Sequence, residues 1–335
     1  MLHKRLLYLG YYLRELDWAK LRSFLEYASV QEKKSKSALV ADMLTSSLKY
    51  NISLLEYFQF RFYKLTNAER STYAGTGFMY EYHLSMNPKS SRNVLEDKLQ
   101  FLKHYKQFVK HKFASVHDIE NNPDLAVSLL SNSSGKLVLK SSSGQCGDGI
   151  EVRISKDFDA VSLISRLKST GNDLVEEFVV QHDALNGLSP SGLNTIRVFT
   201  QLTKDNKVEI LGARLRMTVN SSVDNLAAGN IAAPINLETG IIDGAAIYSD
   251  ITKREETVHP VTQVKIVGFQ IPFWNETIKM VEQAALKNTE NRSIGWDVAI
   301  TNNGPELIEG NHNWCKLLWQ LPVKKGLKAE LLKYL

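Results

Sequence analysis

Cysteine is nearly missing from this sequence, and so is any long apolar run. The two cysteines, Cys146 and Cys315, stand far apart in a chain of 335 residues. That count excludes a disulfide framework and points to a reducing, cytoplasmic compartment. No apolar stretch approaches the ~18 residues of a membrane-spanning helix. The opening MLHKRLLYLGYYLREL is basic at its start, but Arg14 and Glu15 break its apolar run. No small-residue cleavage site follows, so it does not read as a signal peptide. Paired-cysteine zinc spacing and aromatic-rich RNA motifs are absent. A net charge of +5 is too small to argue for nucleic acid, though it suits anionic ligands. Proline does not occur before Pro88, and Gly10 is the only glycine in residues 1–70.

Without such breakers, the first part of the chain can be helical. LRSFLEYASV and ISLLEYFQFRFYKL carry apolar residues at helical spacing among frequent Lys and Arg. The spacing predicts a packed helical subdomain over residues 1–90. Its basic faces are either solvated or rest on an anionic membrane surface or a partner, and a homodimer is open as well. MNPKSSRN (86–93) then reads as a linker.

Beyond it the pattern changes. VLEDKLQFLKHYKQFV and IPFWNETIKMVEQAAL have helical spacing, and KAELLKYL closes the chain as a helix. LVLK, GIEVRI, DLVEEFVV, NTIRVFTQL and VEILGARLRMTV read as strands. Hairpins are prominent, which argues for α+β architecture rather than a doubly wound parallel sheet.

Two hairpins place like charges face to face. A two-residue turn at Asp205-Asn206 pairs Lys204 with Lys207. Counting outward sets Arg197 opposite Arg214, with Arg216 on the same face. Like charges directly opposite destabilise a sheet. Either the arginines fan into solvent, or an anion lies between them, since guanidinium forks match phosphate and carboxylate oxygens. In the second hairpin a three-residue loop Asn302-Asn303-Gly304 pairs Thr301 with Pro305. Asp297 then falls opposite Glu309, with Asn311 two residues on. Two carboxylates and an amide oxygen form a hard cluster suited to Mg²⁺; the alternative is a polar outer face.

KSSSGQCGDG (140–149) follows the strand LVLK. It is either a surface turn or a flap whose bare N–H groups close over phosphates beside Lys140. His182, His259 and His312 read as ordinary structural residues.

Taken in order, EDK (96–98), KSSSGQCGDG, VEEFVVQH, NTIRVFT, VDNLAAGNIAAPINLETG and IGWDVAITNNGPELIEGN resemble the ATP-grasp enzymes. The likeness is to the sugar-transfer-associated members found near polysaccharide genes, and it covers residues from about 50 to 325. The resemblance implies two α+β subdomains clasping ATP after the helical N-terminus: 91–175 as a lid with flap 140–149, and 176–335 with the metal site. It implies Lys98 and Lys140 on the nucleotide phosphates, with Ser143, Gly144, Gly147 and Gly149 in the flap. Glu176, Glu177, Phe178 and Val179 would be the adenine hinge and Asp183 the ribose contact. Arg197 and Arg214 would face the transferred phosphate. Asp297, Glu309 and Asn311 would hold one or two Mg²⁺ ions. The implied activity is an ATP-dependent carboxylate–amine ligase that couples an amine or amino acid to a sugar acid in capsule or lipopolysaccharide assembly. A kinase on the same scaffold and a non-catalytic nucleotide-binding partner of a glycosyltransferase are the alternatives. KSSSGQCGDG lacks the proline that often follows the lysine in related ligases, and Asn230 stands where a second glycine is common.

Overall fold

A computed structural model describes residues 2–144 and 149–335. Residues 2–86 contain helices and no strand, as the spacing predicts. The helix starts are written locally. Asp17 and Ser35 cap Trp18–Glu32 and Lys36–Tyr50 by accepting from the N–H groups of Lys20 and Ala38. Ser53 and Glu56 form a capping box on Leu54–Gln59. Phe24, Leu39, Tyr57, Phe58 and Phe62 fill the core of this part. It is fastened to the rest through the buried Glu56 carboxylate, which accepts from Thr76 and lies 3.1 Å from Lys316 Nζ.

Among the described residues nine strands follow: β1 (Phe113–Ser115), β2 (Lys136–Lys140), β3 (Glu151–Ile154), β4 (Leu174–Glu177), β5 (Thr195–Leu202), β6 (Val208–Met217), β7 (Ile231–Ile235), β8 (Ser293–Thr301) and β9 (Gly304–Asn311). They form a four-stranded sheet in the order β1-β4-β2-β3 and a five-stranded sheet in the order β7-β6-β5-β8-β9. Every pairing is antiparallel. The chain is thus α+β, as its hairpins predict. The expected division at residue 175 falls inside β4, whose Glu176 and Glu177 still pair with Val138 and Leu137.

The large sheet has two unlike faces. Ile196, Val198, Leu215, Trp296 and Val298 pack under the helix Trp274–Lys287. The opposite face carries the charged residues, and alternation along each strand separates the two sets.

Both hairpins differ from the expected turns by one residue. Thr203, not Lys204, is the last partner of Lys207, with Asn206 in the left-handed region. Thr301 pairs with Gly304, not Pro305. A one-residue slip would move every side chain to the wrong face. Each hairpin also holds an irregularity that restores the count, between Phe199 and Thr200 in one and between Asp297 and Val298 in the other. Beyond these bulges Arg197 lies opposite Arg214, and Asp297 opposite Glu309.

The helix predicted over 94–109 is broken. It ends at Glu96 and restarts at Lys98, where Asp97 caps the new turn by accepting from Gln100 N at 2.7 Å. The break puts Lys98 against the start of the glycine-rich segment, its N–H donating to Ser142 O at 2.9 Å.

Candidate active site

Asp297 is the hub of the charged face. Arg197 grips both of its oxygens, with Nε on Oδ1 and Nη2 2.9 Å from Oδ2. Arg216 Nη1 donates to Oδ2 at 2.7 Å. Arg216 also reaches Asp224, whose Oδ2 accepts from Thr195 N at 2.8 Å and Thr195 Oγ1 at 2.5 Å. Burial pushes Asp297 up, but Arg197 and Arg216 outweigh it and hold the carboxyl well below the usual range. Burial leaves Asp224 raised despite Arg216.

Arg214 lies opposite Arg197 as expected, but its side chain is not part of this clamp. Its Nη1 donates to Ala213 O at 2.7 Å and its Nη2 to Trp319 O at 2.5 Å. A Cβ on Gly212, which sits at φ +146, would come within 3.2 Å of Arg214 Nη1, so the glycine keeps that path open. Burial lowers the guanidinium to about 10. Cross-strand register sets where a side chain starts, not where its end goes. The pair that closes on a common anion is Arg197 and Arg216, and that anion is Asp297.

Glu309 stands beside Asp297 without such support. It is partly buried, and its side-chain partner is Asn311, whose Nδ2 donates to Oε1 at 3.1 Å. Burial first, then the Asp297 charge, raise its pKa. A carboxylate held against another one favours a cation. Asp297, Glu309 and the Asn311 amide oxygen are hard donors on one face, so these residues fit a divalent ion such as Mg²⁺. Among the described residues no group of three or more His, Cys, Asp or Glu could hold a metal; here the third donor is an amide.

Lys140, at the end of β2, and Lys98, at the start of the helix Lys98–His104, meet at the glycine-rich segment. Lys98 Nζ donates to Ser141 O at 3.3 Å and to Gly144 O. Burial first, then the neighbouring Lys140, lower its pKa, while Glu309 and Glu176 raise it. Lys140 Nζ lies 2.7 Å from Glu176 Oε1, an ion pair without the alignment of a hydrogen bond.

Glu176 leads into a buried relay that sequence reasoning missed. Its Oε2 is 3.6 Å from His111 Nε2, and His111 Nδ1 lies 2.8 Å from Glu306 Oε2. Glu306 also accepts from Lys110 N at 2.8 Å and His111 N at 3.0 Å. Burial opposes charge on His111, but the flanking Glu176 and Glu306 carboxylates win and raise it to about 9. An unfolded histidine titrates near ~6.5. The raised value makes the stabilisation complete below that pH and lost as pH climbs through about 9. The melting temperature should fall across this window, and His111→Gln should flatten the fall. An unchanged slope in the variant would remove His111 from the relay.

Other expected site residues are placed as follows. Glu177 and Phe178 spend their N–H groups on Lys112 O at 2.8 Å and Lys136 O at 3.2 Å; Val179 follows directly. Asp183 is exposed at the start of the helix Asp183–Leu188, its N–H donating to Asn302 Oδ1 at 3.1 Å. Ser143 is exposed with Oγ 3.2 Å from Ser141 Oγ, and Gly149 has φ +72. Gly147 and Cys146 lie outside the described residues. Asn230 is buried and orders the loop before β7: its Oδ1 accepts from Val219 N, and its Nδ2 donates to the Val223 and Asn225 carbonyls. His259 likewise serves structure, bonding Thr218 O through Nε2 at 2.9 Å.

An antiparallel sheet with an acidic pair and arginines on one face, beside a smaller antiparallel sheet that ends a strand on Lys140, is the arrangement expected of an ATP-grasp protein. The model of the family described as sugar-transfer associated ATP-grasp matches residues 78–334, and the chain belongs to that family. No curated protein matches the sequence. Similar solved structures include biotin carboxylase from Campylobacter jejuni, at 12% identity and TM-score 0.46 over 73% of this chain and 46% of that one. The L-amino acid ligase of Bacillus licheniformis has 14% identity and TM-score 0.40 over 71% of this chain and 49% of its own. For D-alanyl-alanine synthetase A from Vibrio cholerae the values are 13% and 0.42, over 72% and 64%. The chain spans less than two thirds of the length of each.

Proposed function

We propose that this protein is an ATP- and Mg²⁺-dependent ligase that joins a carboxylate to an amine through an acyl phosphate. The carboxylate in this reading is a sugar acid, the amine an amino acid or related compound, and the setting capsule or lipopolysaccharide assembly. One observation carries it. The helix Lys98–His104, whose first side chain is bound to the flap segment at Ser141 O, packs against β9, the strand that carries Glu309 and Asn311, and this supports one shared site for phosphate and metal.

The substrate carboxylate oxygen attacks the γ-phosphorus of ATP, the bond to the β-phosphate oxygen breaks, and ADP leaves. The amine nitrogen then attacks the acyl carbon, the bond to phosphate breaks, and the nitrogen gives up a proton. Lys98 and Lys140 bind the phosphates by charge. Arg197 and Arg216 keep Asp297 ionised and immobile. Mg²⁺ held by Asp297, Glu309 and Asn311 would neutralise charge on the phosphate oxygens. Glu176, itself fixed by His111, sets where the Lys140 ammonium sits.

Hydroxylamine tests the acyl phosphate. With ATP, Mg²⁺ and a panel of sugar acids, it should replace the amine and yield hydroxamate and ADP in equal amounts. A stable phosphoester with no hydroxamate would mean phosphate transfer to a hydroxyl, and the ligase reading would fall while the ATP-grasp assignment stood.

A further inference from the structure

A cavity lies among the N-terminal helices and the helix Lys328–Leu332, lined by none of the charged residues of the large sheet. It is a groove of about 640 Å³ whose walls include Lys4, Arg5, Lys49 and Lys328, with Tyr8 and Phe78. That volume suits a ligand of one or two sugar rings. Three of its cations have no carboxylate partner among the described residues; only Lys4 is paired, with Glu81 at 3.2 Å. Arg5 is fixed rather than loose. Its Nη1 donates to Leu48 O and Lys49 O, both at 2.9 Å, at the end of the helix Lys36–Tyr50. The rest of its guanidinium is left for a ligand. Lys328 Nζ sits 4.9 Å from the centre of the Phe78 ring. Burial and the Arg5 charge depress its pKa, so the ammonium is held where charge is disfavoured.

We infer that this groove binds an anionic sugar unit, carrying a carboxylate or a phosphate, at a site separate from the nucleotide site. Four converging cations face a single lining acid, Glu81, which is taken by Lys4 and the Tyr8 hydroxyl, and the surplus positive charge calls for an anion. A bare anion would not need aromatic walls. The partly exposed Tyr8, Tyr50 and Phe78 offer aromatic surface for the C–H side of a ring, and Asn51 and Ser71 offer polar atoms for its hydroxyls. Most of the lining precedes residue 78, where the family match begins, so the groove belongs largely to the helical part. It does not depend on the ligase reading.

The test is calorimetric and uses the full chain without turnover. A uronate disaccharide should bind, and the same disaccharide with its carboxylates reduced to alcohols should not. Lys49→Ala/Lys328→Ala should weaken uronate binding more than tenfold, yet leave the affinity for a non-hydrolysable ATP analogue with Mg²⁺ unchanged. Tyr8→Ala should weaken the disaccharide and leave inorganic phosphate alone. Both variants alter surface-facing groups, and an unchanged melting temperature checks their folding. Equal binding of the charged and neutral sugars overturns the proposal. So does parental affinity in the double variant. Binding to phosphatidylglycerol vesicles but not to the uronate disaccharide overturns it too, since the groove would then serve a membrane surface.

Discussion

Replacing Asp297 by alanine is expected to cost about 3–5 kcal/mol of stability and to abolish ATP turnover. The stability loss follows from what stays behind. Arg197 is buried and Arg216 largely so; both close on Asp297, and only Arg216 has a second carboxylate, Asp224. Without Asp297 the Arg197 guanidinium loses the one ion-pair partner it has among the described residues, in a place water reaches poorly. Removing one partner of a buried ion pair is far more damaging than replacing both. Arg197→Met/Asp297→Leu should therefore recover much of the stability while remaining inactive. Urea denaturation of parent, single and double variants measures this. A loss below about 1 kcal/mol in the single variant, in the range of an exposed ion pair, would show that Asp297 is not the hub.

The sequence makes the charged face legible and leaves its wiring hidden. Counting from the turns sets Arg197 opposite Arg214 and Asp297 opposite Glu309, yet both turns are counted wrongly by one. The result survives because each hairpin carries one compensating bulge. Neither bulge has a simple sequence mark; Gly212 is the nearest sign in the first hairpin. The second bulge also hides Glu306. Strict alternation puts residues 306 and 309 on opposite faces. With the shift, Glu306 lies opposite Ala299 and Glu309 opposite Asp297, two positions apart on one strand, so both acids share a face. His111, between Lys110 and Lys112 in VKHKF, looks like part of a solvated basic run. Only the fold shows that it enters a buried pocket of two glutamates. An acid alternating with apolar residues in GPELIEGN is the signal that could have pointed to Glu306.

Arg214 exposes a different limit. Its register is read correctly and its role is not. The guanidinium is long enough to leave the position its Cβ indicates, and the Trp319 carbonyl draws it away. That carbonyl comes from the C-terminal segment, which no hairpin count could bring there. Arg216, two residues along β6 on the same face, takes the place beside Asp297. Short-range periodicity fixes faces of strands, whereas the ends of long charged side chains are fixed by whatever tertiary partner reaches them.

Glu309→Gln should behave in the opposite way to Asp297→Ala. Burial and the neighbouring Asp297 charge raise the Glu309 pKa above its unfolded value. The ionised form is thus disfavoured in the fold, and without metal this group costs stability once pH exceeds its folded pKa; the cost disappears as pH falls and it protonates. Glutamine keeps the shape and the Asn311 contact while removing that charge. The metal-free variant at pH 7 should melt at the parent's temperature or above it. Mg²⁺, with or without an ATP analogue, should raise the melting temperature of the parent and not that of the variant. Turnover should fall at least ~100-fold, about 2.7 kcal/mol of lost transition-state stabilisation, because the charge that would hold the ion is gone. The two readouts separate the explanations. A variant that melts lower than the parent without metal would make Glu309 a structural acid. One that keeps both the Mg²⁺ response and activity within a few-fold of the parent would remove the metal site from this face, while leaving the Arg197–Asp297–Arg216 cluster as a structural lock.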